Sequence, residues 1–300
     1  MPSITTVINT RNSAQTIEMS LKSVQDLGEI VIVDMHSDDQ TLEIAKKYTS
    51  NIHLFDNLGY VEPARNYAIS LAKTDWILVI DSDEEISPSL KQEIHNIITQ
   101  NAQTDITHVY LPRKNIIFGQ WMQHTGWWPD EKMRLFKHGT VKWSDAIHSE
   151  PECTGEALHL PPEEKYAIIH HHYTSISEWV LRMERYTSIQ AKELVESKYQ
   201  FQWQDIIRKP LSEFITRFFV WEGWKDGVNG LALSLLQAFS WIVVYMKVKE
   251  MQKITIQQEP LEFLQQVGEE YDAVESEVGH YMEKLGLQSQ LKRWIQKVLP

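Results

Sequence analysis

Short apolar runs alternate with amphipathic segments along roughly the first third of the chain. Four runs rich in Val and Ile predict strands, at residues 3–9, 29–34, 51–55 and 75–81. The segments between and after them carry capping residues or proline at their starts and predict helices, at residues 14–25, 41–48, 63–73 and 88–100. Strands with continuous apolar runs, separated by helices, indicate a parallel sheet covered on both faces. The pattern therefore predicts an α/β fold.

The pattern changes in the rest of the chain. Residues 107–143 predict shorter, antiparallel strands that would make the sheet mixed. After His172 the apolar positions follow a helical period, and residues 259–300 predict two amphipathic helices broken near Gly286. We therefore expect a C-terminal helical region.

Composition and charge limit the classes of protein to consider. The apolar share of 42% and the 11 tryptophans are enough for a sizeable core. The net charge of −12 argues against a general nucleic-acid binder, which needs surplus Lys and Arg to displace counterions. A single cysteine, Cys153, excludes an internal disulfide and a multi-cysteine zinc site. The N-terminal "MPSITTVINT" has no apolar signal core, so a cytoplasmic location is expected.

The longest apolar stretch lies in the second half of the chain, at Gly230–Met246. Its 17 residues include two serines and a glutamine, whereas a membrane-spanning helix needs about 20 apolar residues. Lys247 and Lys249 follow it directly. The stretch predicts either a helix at a membrane surface or a helix buried against the protein itself.

Acidic side chains follow two of the predicted strands. Asp34 ends the second strand, and Asp81 and Asp83 follow the fourth. The carboxyl ends of parallel strands form the ligand crevice of such sheets, and residues two apart can point the same way. Two hard carboxylates suit Mg²⁺ or Mn²⁺. The alternative is a loop before a helix, where Glu84 and Glu85 would gain from the helix dipole.

Two further groups fall at the same predicted edge. Asp34 is placed to accept hydrogen bonds from a base or a ribose hydroxyl, although its loop also contains Asp39, which would cap the next helix. Arg65 lies in the first turn of a predicted helix, where a cation would meet a diphosphate. An ordinary surface arginine is the alternative for Arg65.

Together these motifs resemble those of the family 2 glycosyltransferases, which have the GT-A fold. The similar segments, in the family's order, are "VINTRN", "DMHSDDQT", "ARN" and "DSDE". Three later segments resemble the subgroup that includes lipopolysaccharide core glycosyltransferases: "FGQWMQHTGWWPDEKMRLF", "DAIHSEP" and "GWKDGVNGLALSLLQAFSW". The resemblance covers residues 3–250 and implies a GT-A catalytic domain over residues 1–200. Residues 201–300 would then be a helical region for acceptor, membrane-surface or dimer contacts.

The resemblance also implies a nucleotide-sugar donor, often a UDP-sugar, a divalent cation (Mn²⁺ or Mg²⁺) and inversion at the anomeric carbon. By position, the residues expected to bind the nucleotide-sugar are Thr10, Arg11, Asp34, Asp39, Arg65, Asp81 and Ser82. The expected metal ligands are Asp83, Asp81 and His148, the last because the resembling proteins carry an H-x-E-like element there. Histidines 170–172 are alternatives, and a hydrogen-bonded loop histidine is the plainer interpretation of each.

An inverting transfer needs a base that takes the proton of the acceptor hydroxyl. The segment "GWWPDE" places Asp130 where the family has this carboxylate, with Glu131 as the substitute. Asp130 would otherwise cap a turn after Pro129. The chain departs from the family pattern in two places: Ser13 stands where an acidic residue is common, and His36 replaces a glycine.

The sequence thus predicts an inverting, metal-dependent glycosyltransferase. It would move a hexose, such as glucose from UDP-glucose, to a cell-envelope glycan or glycolipid such as lipopolysaccharide core. Peripheral contact with the inner face of the membrane and a homo-oligomer are further expectations. A nucleotidyltransferase is an alternative, but "NTRNSAQT" lacks the glycine-rich phosphate loop expected of one. A binding protein that keeps the fold without catalysis is the other alternative.

Overall fold

The computed structural model describes residues 3–57, 61–100, 104–143, 151–255, 259–284 and 286. His148 lies outside these residues. The chain forms two compact units. One comprises Met1–Trp121 and Trp127–His172, and the other comprises Met122–Gly126 and Tyr173–Pro300.

The first unit contains most of the strands. In chain order the strands are β1 (Ile4–Thr10), β2 (Glu29–Asp34), β3 (Ile52–Leu54), β4 (Trp76–Asp81), β5 (Glu84–Ile86), β6 (Ile106–Leu111), β7 (Arg113–Ile117), β8 (Gln120–Trp121), β9 (Lys132–Lys137), β10 (Val141–Lys142), β11 (Glu152–Cys153), β12 (Glu156–His159) and β13 (Ile168–Tyr173). Its helices are α1 (Ile17–Val24), α2 (Thr41–Ala45), α3 (Glu62–Leu71) and α4 (Pro88–Gln100), with a 3-10 turn at Glu164–Tyr166.

The main sheet has the order β12-β6-β9-β4-β1-β2-β3. Strands β4, β1, β2 and β3 run parallel, whereas β9 is antiparallel to both β4 and β6. Apolar side chains fill both faces, with Ile8 and Leu78 in one cluster and Val7 and Ile77 in the other. Each such fully buried side chain contributes about 1.5–3 kcal/mol, which holds the sheet between its layers. The predicted α/β fold with a mixed sheet is confirmed.

A second sheet lies next to the end of β4, with the order β5-β13-β7-β8. The chain turns at Ser82 and Asp83 and re-enters a strand at Glu84, which is fully buried. Helix α4 begins only at Pro88. The alternative that Glu84 gains from a helix dipole is therefore wrong, because Glu84 is a strand residue that faces the protein interior.

The second unit is helical. Its elements are α5 (Ile176–Glu196), α6 (Asp205–Ile215), a π-helical turn (Thr216–Val220), a 3-10 turn (Gly223–Asp226), α7 (Gly227–Met251) and α8 (Pro260–Lys284). The side chain of Ser175 caps α5 by accepting a hydrogen bond from the backbone N–H of Glu178. Gly230 allows α7 to pass close to the preceding turn, since a Cβ there would lie 1.9 Å from the carbonyl oxygen of Gly223. The predicted C-terminal helical region is confirmed.

Helix α7 has one packed face and one exposed face. Val244 and Val248 are buried in a cluster with Ala191 of α5. On the other face Leu235 is 51% exposed and Phe239 is 49% exposed. The segment Gly223–Met251 is long and apolar enough to cross a membrane by length and composition, and 33% of its most apolar window is buried. One side of the helix is therefore core, as one of the two predictions for this stretch has it, and the other side carries apolar groups at the surface, while contact with a membrane stays a prediction.

Candidate active site

The carboxyl ends of β1, β2 and β4 bring the predicted acidic residues to one edge of the sheet. In the parallel register Thr10 pairs with Asp34, and Asn9 pairs with Asp81. Because alternate residues of a strand face opposite sides, Asp34 and Asp81 lie on different faces of the sheet. The edge therefore offers one group of side chains toward α1 and another toward α3.

Two loops at this edge are bound to each other by hydrogen bonds. Asp34 is buried, and both of its carboxylate oxygens accept hydrogen bonds from Ser37. Oδ2 accepts from the backbone N–H at 2.8 Å, and Oδ1 accepts from Oγ at 2.5 Å. Asp39 accepts from the backbone N–H of Ala14 at 3.0 Å and from that of Thr41 at 2.9 Å. Asp34 and Asp39 thus shape the loops. Arg11 is exposed beside them.

His36 stands where the resembling family has glycine, and its backbone explains the family's preference. Its φ is +58°, in the left-handed region that glycine adopts without steric cost. Here the turn keeps the glycine-type conformation although the residue carries a side chain. The departure noted in the sequence therefore leaves the loop conformation intact.

Asp81 is held between two arginines. Its Oδ1 lies 3.0 Å from Nη2 of Arg65, and its Oδ2 lies 2.5 Å from Nη2 of Arg134. Burial raises the pKa of Asp81, but the charges of Arg134 and Arg65 outweigh burial and hold this pKa well below its usual value. Burial lowers the pKa of Arg134, but the charges of Asp81 and Glu84 outweigh burial and raise this pKa. Asp81 is therefore ionised, and both of its oxygens are occupied by guanidinium groups.

Glu84 forms one cluster of charged residues with Asp81, Arg65 and Arg134. It is fully buried and its Oε1 contacts Arg134 at 2.6 Å and Arg113 at 3.3 Å. Its Oε2 accepts the backbone N–H of Asp81 at 2.9 Å. A buried carboxylate is tolerated only when it is paired and hydrogen-bonded, and here both conditions are met. Glu84 thereby fixes the turn that carries Asp81 and Asp83.

The predicted base, Asp130, lies at the other end of the same cluster. Its Oδ2 accepts from Arg113, with Nη2 at 2.7 Å, and from Nδ2 of Asn115 at 2.9 Å, while its Oδ1 contacts Lys132 at 2.9 Å. Burial raises the pKa of Asp130, but the charges of Arg113 and Lys132 outweigh burial, so that the net shift of this pKa is downward. Asp130 is therefore a carboxylate at neutral pH. The substitute, Glu131, is 36% exposed and pairs with His159 at 3.2 Å.

Asp83, in the turn before β5, faces His170 on β13. His170 is buried, and its Nε2 lies 3.6 Å from Oδ2 of Asp83. Its Nδ1 lies 2.6 Å from Oδ1 of Asn115. Two ligands at this separation are within reach of one divalent ion, given metal–ligand distances of about 2.0–2.2 Å. Among the described residues there is no cluster of three or more metal-binding side chains.

The structure brings together Arg65, Asp81, Asp83 and Asp130, which the sequence singled out. Ser82 joins them to the loop after β1, because its Oγ lies 2.8 Å from Oγ of Ser13. Five residues of the cluster were not selected from the sequence: Glu84, Arg113, Asn115, Lys132 and Arg134. One signal was available, since an arginine between the buried residues of "KMRLF" is unusual in a strand unless it is paired.

Comparisons with known proteins show similarity to glycosyltransferases. Residues 5–151 match the family described as Glycosyl transferase family 2. An uncharacterized glycosyltransferase of Rickettsia typhi is 28% identical over 262 residues, covering 84% of this chain and 88% of the relative. The SPbeta prophage-derived glycosyltransferase SunS of Bacillus subtilis is 29% identical over 157 residues, covering 50% of this chain and 35% of SunS.

Among solved structures, S. aureus TarS 1–349 in complex with UDP-GlcNAc is similar with a TM-score of 0.44 and 16% identity. That similarity covers 84% of this chain and 91% of TarS 1–349. The family match spans β2 and β4, which end at Asp34 and Asp81, and the loop before β9 that contains Asp130. The chain is a glycosyltransferase, and its residues 5–151 match family 2 of these enzymes.

Proposed function

We propose that this glycosyltransferase moves a hexose from a UDP-linked donor to a cell-envelope glycan or glycolipid, such as lipopolysaccharide core, with inversion at the anomeric carbon. Glucose is the first donor sugar to test. The observation that supports this most directly is that Asp81, at the carboxyl edge of the parallel sheet, lies between two guanidinium groups, and that Asp83, two residues later, faces His170. This edge is where open α/β sheets bind nucleotide ligands.

Arg65 and Arg134 are suited to a diphosphate. In each arginine, Nη2 donates to the carboxylate of Asp81. The Nε of each is buried and has no hydrogen-bond partner among the described residues. Buried donors without partners are rare, and a bound ligand is one usual reason for them. A planar guanidinium also matches phosphate oxygens in pairs. Both arginines are therefore proposed to bind the donor diphosphate, with Asp81 holding them in place.

Asp83 and His170 are proposed to hold the divalent cation. Nε2 of His170 lies 3.6 Å from Oδ2 of Asp83, a separation that one divalent ion can span, whereas Asp81 faces two arginines. When bound there, Mn²⁺ or Mg²⁺ would stabilise the charge that develops on the departing diphosphate. His148 stays a prediction, since it lies outside the described residues.

The nucleoside is proposed to lie over the ends of β1 and β2. The side-chain amide of Asn9 and the Oγ1 of Thr10 are buried and, in the part of the chain described, have no hydrogen-bond partner. Asp34 and Asp39 would support this subsite through the loops they shape, and the exposed Arg11 would lie beside the base.

Asp130 is proposed as the base. The acceptor hydroxyl oxygen would bond to the anomeric carbon as the bond from that carbon to the phosphate oxygen breaks, and Oδ1 or Oδ2 of Asp130 would take the hydroxyl proton. The lowered pKa of Asp130 keeps the carboxylate in the deprotonated state that a base requires. UDP leaves with the electron pair of the broken bond.

The test is UDP or GDP release from a panel of sugar nucleotides with MnCl₂, for the native protein and for Asp83→Asn. The variant keeps the shape of the side chain and removes its charge. We expect kcat/KM to fall by about 100-fold or more, because a metal contributes several kcal/mol of charge stabilisation. Asp105→Asn, an exposed acid outside the cluster, is the control and should retain activity. Undiminished release by Asp83→Asn would contradict the proposal.

We also propose that the exposed face of α7 holds the enzyme against the inner face of the membrane, near a lipid-linked acceptor. Leu231, Leu235 and Phe239 are spaced along one side of the helix and are all more than a third exposed. The chain should co-sediment with liposomes, and Leu235→Ser should weaken this binding. A protein that stays wholly soluble and forms dimers that Leu235→Ser disrupts would instead make this face a contact between two copies.

A further inference from the structure

Asn115 lies between the proposed base and the proposed metal site. It is fully buried at the centre of β7, on the second sheet. Its Nδ2 donates to the carbonyl oxygen of Trp127 at 2.8 Å and to Oδ2 of Asp130 at 2.9 Å. Its Oδ1 lies 2.6 Å from Nδ1 of His170. One amide therefore touches both halves of the site.

These contacts fix the orientation of the amide and the tautomer of the histidine. The carbonyl of Trp127 and the carboxylate of Asp130 both accept, so the amide must present its two N–H groups to them. The atom that faces His170 is then the amide oxygen, which can only accept, and Nδ1 of His170 must carry a proton. In the neutral imidazole, Nε2 is left with a lone pair.

That lone pair faces a carboxylate. Nε2 of His170 lies 3.6 Å from Oδ2 of Asp83, and two electron-pair donors directed at each other require a cation or a proton between them. Histidines that bind metals commonly donate their other N–H to an oxygen, which orients the ring and raises its basicity. Asn115 supplies that oxygen here.

We propose that Asn115 is a positioning residue that serves both halves of the site at once: its oxygen directs Nε2 of His170 toward the metal, and its N–H directs Oδ2 of Asp130 toward the acceptor. The inference rests on the proposed function, because it assumes that Asp83 and His170 hold the cation. It adds a physical link between metal binding and the geometry of the base, through a single side chain.

Two substitutions separate the two functions of the amide. Asn115→Asp keeps an oxygen for Nδ1 of His170 but removes both N–H donors and places a negative charge beside Asp130. Asn115→Leu has a similar size and removes every polar contact. We therefore expect Asn115→Asp to retain metal affinity while losing kcat, and Asn115→Leu to lose both.

The experiment measures Mn²⁺ binding by electron paramagnetic resonance at saturating UDP, together with the ¹⁴N modulation that a directly coordinated imidazole produces. The native protein and Asn115→Asp should bind Mn²⁺ within about 3-fold of each other and both show the ¹⁴N signal. Asn115→Leu should bind about 10–100-fold more weakly, as for other partners of metal-bound histidines, and lose the signal. Ile117→Ala, a buried substitution on the same strand, is the control: it should lower the Tm and leave Mn²⁺ affinity unchanged.

The outcomes distinguish the proposed metal site from the proposed role of Asn115. If the native protein shows no ¹⁴N signal, or His170→Ala keeps it, the proposed metal site fails and the inference fails with it. If His170→Ala loses the signal while Asn115→Leu keeps both signal and affinity, the proposed function stands and the inference about Asn115 is wrong. If Asn115→Leu does not fold, Asn115→Asp decides alone: loss of its ¹⁴N signal, or a kcat equal to that of the native protein, overturns the inference.

Discussion

Glu84→Gln is the most direct test of the buried ion cluster. The substitution keeps the size of the side chain and an oxygen that can accept a hydrogen bond, and it removes one negative charge. Glu84 is fully buried and contacts Arg134 and Arg113 at 2.6 Å and 3.3 Å. Without its charge, two largely buried guanidinium groups would have to share the carboxylates of Asp81 and Asp130.

The magnitude follows from what happens to buried pairs that lose one partner. Removing a partner leaves an uncompensated charge and costs about 3–5 kcal/mol, far more than loss of a surface ion pair, which costs about 0–1 kcal/mol. The Gln side chain retains part of the hydrogen bonding, which places the expected loss for Glu84→Gln at about 3 kcal/mol. The Tm should fall by roughly 6–12 °C, using about 2–4 °C per kcal/mol for domains of this size.

The assay is urea and thermal unfolding followed by tryptophan fluorescence, with Glu85→Gln as the matched control. Glu85 is the next residue on the same strand, is 35% exposed and lies 3.4 Å from His171, so its substitution should cost less than about 1 kcal/mol. A loss of stability below about 1 kcal/mol for Glu84→Gln would refute the reasoning, because it would mean that Arg113 and Arg134 do not depend on the buried charge.

Arg65→Lys should raise the KM for the sugar nucleotide about 10-fold with a smaller change in kcat, since lysine lacks the planar fork of arginine; initial rates against donor concentration check this. The lowered pKa values of Asp81 and Asp130 add stability that is fully present above the unfolded-state pKa of about 3.9 and is lost as pH falls through the lower folded-state values. The difference in unfolding free energy between the native protein and Asp81→Asn, measured in urea, should therefore stay constant from pH 7 to about pH 5 and shrink below about pH 4, and a difference that already shrinks between pH 7 and pH 5 would contradict these shifts. His36→Val should cost about 1–2 kcal/mol and His36→Gly less than about 1 kcal/mol, because a β-branched residue at φ +58° is strained; chemical denaturation distinguishes the two.

The fold could be predicted from the sequence where one signal dominated. Continuous apolar runs placed β1, β2 and β4 within a residue or two, since strands buried on both faces leave few alternatives. The short strand β5 was missed because "EEI" follows a run of acids and has three residues, too few for a period to emerge. Its strand character comes from pairing with β13, which is a long-range contact that no local pattern carries.

The acidic residues of the candidate site could be predicted from the sequence, but most of its cationic residues could not. Asp81 and Asp83 stand out because charge directly follows an apolar strand. Arg113 and Arg134 come from strands far along the chain, and their meeting with Glu84 depends on the antiparallel pairing of β9 with β4 and of β5 with β13. Sequence order gives no distance between such residues, so the prediction named the carboxylates and left most of their partners unnamed.

The cluster explains how one fold can keep so many buried charges and still bind an anionic substrate. The described residues of the cluster carry opposite charges in equal number, four acids and four cations: Asp81, Asp83, Glu84 and Asp130 with Arg65, Arg113, Lys132 and Arg134. A diphosphate with about two negative charges and a divalent cation would enter as a neutral pair and leave that balance unchanged. Either one alone would leave a net charge in a poorly hydrated site, which is unfavourable. Binding of the metal and of the nucleotide should therefore be mutually reinforcing, and Asp81 would keep the guanidinium groups paired in the absence of both.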